Sequence, residues 1–197
     1  MNVHAGTVPR RDFRYKPTID GELVQLRPVT EDDTAALLPM LRDAEVARLT
    51  GSHDEGEFEE ARVRAWYAGR ADQDDRLDLA VVERATGRCI GEAVLNEWDA
   101  DNESCNFRIA FVPGVYGRGL GTEATRLLVG YGFEELGLHR VSLDVYPHNP
   151  RARRAYEKAG FVAEGVRREA LYWEGERVDA ILMSVLAHEW ARHHGRP

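Results

Sequence analysis

The sequence predicts an α+β protein: one mixed, mostly antiparallel sheet of about seven strands, flanked by helices. Three observations predict it. The segments 77–83, 89–98 and 106–112 are short, apolar and separated by turn residues, which reads as an antiparallel meander. A glycine-rich loop then leads into a long stretch, 122–136, with apolar residues at helical spacing. Beyond it, strand and helix patterns alternate.

The elements follow in order. Residues 1–18 are polar and basic, with Pro9 and Pro17, and read as a flexible or loosely docked arm before a single domain over 19–190, with 191–197 as a tail. Leu23 to Arg27 is a short strand that stops at Pro28. Thr30 is an N-cap, with Glu31, Asp32 and Asp33 in the first turn. Leu37, Leu38 and Leu41 give that helix its apolar face, and Pro39 is expected to kink or end it. A second helix is expected from about Glu57 to Gly69, on the spacing of Phe58, Ala61, Ala65 and Trp66.

Strands are expected at Leu77–Glu83, Cys89–Trp98 and Asn106–Val112, with turns at Ala85–Arg88 and Asp99–Asn102 and a stop at Pro113-Gly114. The long helix buries Ala124, Leu127, Leu128 and Tyr131 and stops at Gly137. Arg140–Val145 is a strand, and Asn149–Ala159 a short helix stopped by Gly160. Residues 161–173 and 177–186 form the last strand pair, turning at Trp173–Glu176.

A chain of 197 residues suits one domain with a sizeable core. No apolar run approaches the roughly 20 residues of a membrane helix, and residues 1–18 hold no signal-peptide core, so a cytoplasmic protein is expected. The net charge of −8 speaks against nucleic acid and favours cationic partners. Cys89 and Cys105 fall on neighbouring strands and are expected to be reduced and buried. His188, His193 and His194 lack the spacing of a metal motif, so no metal is expected.

The loop Tyr116-Gly117-Arg118-Gly119-Leu120-Gly121 carries the first chemical signal. Glycines between a strand and a helix let backbone approach a ligand closely. The free N–H groups and partial positive charge of the following helix suit a phosphate or pyrophosphate. Arg118 adds charge. The plain alternative is a strand–helix turn that needs flexible residues. A nucleotide P-loop is excluded, because its Gly-Lys-Ser/Thr ending is absent. A dinucleotide site competes: Gly119, Gly121 and Ala124 fit its spacing, and Asp144 follows by about 20 residues. Against it, three antiparallel strands precede the loop, and too little chain remains for a parallel sheet.

The second signal is Asn149-Pro150-Arg151-Ala152-Arg153-Arg154-Ala155-Tyr156-Glu157-Lys158-Ala159-Gly160-Phe161. This segment resembles the second signature of the GNAT acetyltransferases, and Tyr116 to Gly121 resembles their pyrophosphate loop. The tail from Glu164 to Met183 is similar to the RimJ/RimL branch. The likeness spans roughly residues 20–188. It departs from the family at Tyr116, where Arg or Gln is usual, and at Asn106, where related sequences often carry Glu.

The resemblance implies an N-acetyltransferase in which an amine attacks acetyl-CoA directly, with acetyl-CoA as donor co-substrate. Tyr156 would be the general acid on the departing sulfur. Phe111 and Val112 would offer backbone groups to the pantetheine arm. Gly117, Arg118, Gly119, Leu120, Gly121 and Thr122 would hold the pyrophosphate, and Asn149 the cofactor amides. Glu92, Glu97 and Glu103 are candidate bases, of which Glu97 is preferred; a water chain is the alternative. The acceptor would be a protein N-terminus, as of a ribosomal protein, or a small-molecule amine. A non-catalytic acyl-CoA sensor is the competing reading. The last strand and His188–Pro197 are the candidate contacts of a homodimer.

Overall fold

The computed structural model describes residues 12–53 and 58–193. One sheet runs through it, eight strands among the described residues: β1 (Ile19–Asp20), β2 (Val24–Pro28), β3 (Leu77–Glu83), β4 (Arg88–Asp99), β5 (Ser104–Phe111), β6 (Arg140–Val145), β7 (Val162–Trp173) and β8 (Glu176–Leu186). Their spatial order is β1-β2-β3-β4-β5-β6-β8-β7. Every neighbouring pair is antiparallel except β5 with β6. The helices are α1 (Thr34–Leu41), α2 (Ala44–Thr50), α3 (Glu60–Ala68), α4 (Leu120–Glu134), α5 (Pro150–Lys158) and α6 (Ala187–His193).

The central strands are apolar on both faces because both faces are covered. Leu79 and Val81 of β3 enter one core with Leu95, Phe107, Leu128 and Val129. Ala80, between them, enters a second with Leu37, Met40, Val63 and Tyr67. Alternation along the strand sends neighbours to opposite faces. So α4 and α5 cover one side of the sheet, and α1 and α3 the other.

The described part of the N-terminal arm is docked, where the sequence left it flexible or loosely docked. Phe13 is 1% exposed and meets Trp98 edge-on, with ring centroids 5.6 Å apart. Lys16 Nζ donates to the carbonyls of Gln73 and Arg76 at 2.5 and 2.7 Å. The arm's polar composition hid one large apolar anchor. It leads into β1, a two-residue strand outside the expected set.

Three local readings change. The acidic turn after Thr30 is a 3-10 turn, Glu31–Asp33, closed by a Thr30–Asp33 capping box, and α1 begins after it. Pro39 lies inside α1, which ends two residues later. Between α1 and α3 stands α2, which the sequence reading missed because none of its residues is fully buried. Asp43 caps it by accepting the Val46 N–H at 2.8 Å, and Gly51 ends it at φ 67°. The expected helix start at Glu57, residues 1–11 of the arm, His194 and the rest of the tail lie outside the described residues.

Cys89 and Cys105 are both free thiols. They sit at opposite ends of the β4–β5 hairpin: Cys89 lies past the Gly91–Phe111 pair, Cys105 beside the Asn96–Asn106 pair. Adjacent strands did not bring them together, because antiparallel register pairs the first residues of β4 with the last of β5.

Removing the Phe13 ring deletes a fully buried aromatic from the core. Phe13→Ala is expected to cost about 3 kcal/mol and to lower the melting temperature by roughly 5–10 °C. An unchanged thermal melt would mean that the arm is not anchored.

Candidate active site

The parallel pair β5–β6 is joined over three residues only: Ser104 with Arg140, Cys105 with Val141, and Asn106 with Ser142. Beyond that point the strands have no pairing with each other, while β6 stays paired to β8 along its other edge. Val112 donates to the Ile90 carbonyl at 2.9 Å, so Val112 faces β4. Alternation along the ladder then turns the backbone groups of Ile109 and Phe111 away from β4, into the gap. The gap is a wedge lined by unpaired N–H and C=O groups. It suits an extended chain of amides laid alongside β5 as an extra strand.

At the mouth of the wedge lies the glycine loop. Gly117 and Gly119 have φ of 78° and 83°, the left-handed region that side chains disfavour. Nothing lies within 4 Å of where a Cβ on Gly117 would stand. The loop therefore offers bare, open backbone. The first ladder bond of α4 runs from the Glu123 N–H to the Gly119 carbonyl at 3.0 Å, so the N–H groups of Leu120, Gly121 and Thr122 precede any helical partner. Together at the end of a 15-residue helix, they suit an anion.

Glu123, in the first turn, should repel an anion. Its carboxylate is turned elsewhere, accepting backbone N–H groups of Glu22, Leu23 and Val24 at 2.8, 2.8 and 2.7 Å. The negative charge is spent on the β1–β2 turn. Arg118 is paired with Glu83 at the end of β3, so its charge stands beside the loop and is already partly neutralised.

Behind the wedge sits Tyr156 of α5. Its ring is buried against Phe107 and Phe161, with centroids at 6.2 and 5.9 Å. Its hydroxyl has no hydrogen-bond partner among the described residues. Burial pushes the phenol up to about 12, so at neutral pH it keeps its proton. Asn149 caps α5 by accepting the Ala152 N–H at 3.1 Å, and its amide also points at the Leu49 carbonyl, 3.4 Å away. His148 contacts the Arg48 carbonyl at 2.9 Å. Tyr146 covers Gly51, where any Cβ would strike its hydroxyl at 2.4 Å. The β6–α5 loop thus braces the end of α2.

On the opposite face of the sheet lie two adjoining cavities. The inner one, about 430 Å³, lies between α1–α3 and the strands β4–β5; Glu92, Arg76, Arg108, Trp66 and Phe58 are among its walls. The outer one, about 900 Å³, lies between α1–α2 and the β7–β8 turn, with Asp43, His53, Glu59 and Trp173 on its rim. Leu41, Ala47, Ser52 and Phe58 line both, so they form one trough.

Glu92 is the notable carboxylate here. It is buried and accepts the Tyr67 hydroxyl at 2.9 Å. Burial, then repulsion from Asp78, pushes it up to about 7, while Tyr67, Arg76 and Arg108 act the other way. Glu97, the preferred base on sequence, is exposed with φ of 53°, where a bulge interrupts the β4–β5 register between Asn96 and Asp99. It lines neither cavity. A strict two-residue alternation through β4 cannot foresee that bulge. Of the expected cofactor residues, Phe111 opens onto the wedge, whereas Val112 has spent its N–H on Ile90 and its C=O on Val115.

A splayed parallel pair, a glycine loop at a helix N-terminus and a buried phenol behind the gap define a transferase that takes an extended thioester carrier with a pyrophosphate. The chain belongs to the GNAT acetyltransferases: the family model for the acetyltransferase (GNAT) domain matches residues 24–162. It is similar to spermidine N(1)-acetyltransferase of Escherichia coli K12, 28% identical over 88% of this chain and 91% of that one. It is also similar to the probable N-acetyltransferase YjcK of Bacillus subtilis 168, 35% identical over 59% of this chain and 67% of that one. Its fold matches spermidine N-acetyltransferase from Vibrio cholerae, solved with CoA and spermine, at TM-score 0.78 and 24% identity, covering 86% of this chain and 99% of that one. The protein is an N-acetyltransferase that draws its acetyl group from acetyl-CoA. The dinucleotide reading of the glycine pattern falls with the sheet, which has one parallel pair among the described residues. Asp144, which stood at the expected distance for that reading, is paired with Arg167. Among the described residues there is no cluster that could hold a metal ion, and no helix long and apolar enough to cross a membrane.

A Cβ on Gly119 would meet only Leu23 Cδ1, at an ordinary 3.5 Å, so Gly119→Ala tests backbone geometry alone. The left-handed penalty of about 1–2 kcal/mol lets the free loop relax out of this shape, which binding must restore, so acetyl-CoA affinity in a calorimetric titration should fall roughly tenfold. Unchanged affinity would remove the loop from the anion site.

Proposed function

We propose that this enzyme acetylates a small-molecule primary amine, with Tyr156 as general acid and Glu92 as general base. The observation that carries the reading is the inner cavity. It is walled by helices on one side and sheet on the other, and a buried carboxylate lies on its floor. A polypeptide N-terminus would need a groove it could cross; this chamber suits a compact acceptor. The relatives named for spermidine support a small amine. The RimJ/RimL-like tail pattern fits the same reading, since that branch also resembles enzymes of small amines.

The chemistry is a direct displacement. The amine nitrogen attacks the thioester carbonyl carbon, the C–N bond forms and the C–S bond breaks. The amine's proton passes to Glu92, directly or through water, and the departing sulfur takes the Tyr156 proton. A carboxyl near 7 suits the base role at neutral pH. A phenol near 12 stays protonated and available as the acid. Acetyl-CoA would lie in the wedge, its pyrophosphate on the N–H groups of Leu120, Gly121 and Thr122 and its amides against Phe111 and Asn149.

Tyr156→Phe is expected to lower kcat about 100-fold while acetyl-CoA still binds. Full turnover in this variant would remove the acid role. Glu92 must lose its proton to act, so kcat/KM should rise with pH through about 7, the value to which burial lifts this carboxyl. Glu92→Gln should abolish that acidic limb, and Glu97→Gln should keep it. The same limb surviving in Glu92→Gln would hand the task to water.

A further inference from the structure

Three arginines line the inner cavity: Arg62 on α3, Arg76 just before β3, and Arg108 on β5. Arg76 is spent, since its guanidinium grips Asp78 with bonds of 2.7 and 2.6 Å. Among the described residues, neither Arg62 nor Arg108 has a hydrogen bond or ion pair. Both are solvent-exposed, and Arg108 also feels the Glu92 carboxylate; together they give one wall of the chamber a positive edge that can take an anion. A substrate made only of amines would meet them as like charges.

Register sets the geometry. Arg108 stands opposite Val94 and Ala110 opposite Glu92, so Arg108 and Glu92 are diagonal neighbours on one face. In an α-amino acid, carboxylate and amine share one carbon. A carboxylate on Arg108 therefore brings the amine beside Glu92. The rest of such a molecule meets Phe58 and Trp66, which also line the chamber.

We infer that Arg108, with Arg62, forms a carboxylate subsite, so that the acceptor is an amino-acid-like amine with an apolar or aromatic body. This rests on the transfer reading above and names its substrate class. The outer cavity carries the opposite sign, with Asp43, Glu59 and Glu174, which makes spermidine the competing acceptor.

The test is steady-state release of free coenzyme A by the full chain, at saturating acetyl-CoA, with L-phenylalanine, L-phenylalaninamide and spermidine. The amide keeps the amine and ring and lacks the carboxylate. The expected kcat/KM for the acid exceeds that for the amide by at least about tenfold. Arg108→Gln should cut the acid's kcat/KM about 100-fold, mainly through KM, and bring the acid-to-amide ratio toward one. Arg108→Lys, which keeps the charge and loses the fork, should fall between, and guards against a folding artefact. An amide used as well as the acid, or spermidine preferred to both, overturns the subsite and leaves small-amine transfer standing. Acetyl-CoA binding with no turnover of any of the three removes the acceptor reading and the subsite together.

Discussion

Parallel pairing between β5 and β6 lasts three residues, and the active site exists because it stops there. A continued ladder would satisfy the backbone of Ile109 and Phe111 internally and leave no groups for a thioester carrier. The gap persists because each strand is held from its other side, β5 by β4 and β6 by β8. It then connects the two faces of the sheet. Tyr156 approaches from the α4–α5 side and the acceptor trough from the α1–α3 side. In the proposed reaction the two substrates meet through the sheet, with Tyr156 and Glu92 on opposite faces.

The same economy governs charge. Buried carboxylates in this protein are held by donors: Asp33 by Arg27, Asp78 by Arg76 and Glu83 by Arg118. Glu92 is the contrast. Its hydrogen-bond donor is a neutral tyrosine hydroxyl, and Asp78 pushes against its ionisation. A carboxylate held by a full countercharge would be a weak base. This one is raised to about 7, which is what the proposed base role asks of it.

Most of the fold was legible because its elements bury periodic apolar residues. The meander, the long helix and the last hairpin appear within a few residues of their expected limits. Phe13 and α2 were illegible for opposite reasons: one is a single anchor in a polar segment, the other a helix with no fully buried face. The glycine loop was legible because backbone demands show as residue identity. Glu92 left a weaker trace, an acid inside the apolar run Gly91–Leu95, and Glu97 drew more weight than the bulge allows. Cavity charge was not legible at all, since Arg62 and Arg108 come from different elements on a shared wall. Only the packing of α3 over the sheet brings them to one chamber.

Glu123 and the three N–H groups it binds lie 99 to 101 residues apart in sequence. The turn before β2 is synthesised long before the carboxylate that caps it. Until those segments meet, α4 carries a bare negative charge beside its N–H groups, and the turn carries three unpaired donors. Closing so long a loop is slow and entropically costly, and the reward comes only at the end. The anion site is therefore finished by tertiary folding. An early helix at residues 120–134, formed on its own, would have the right backbone and the wrong charge.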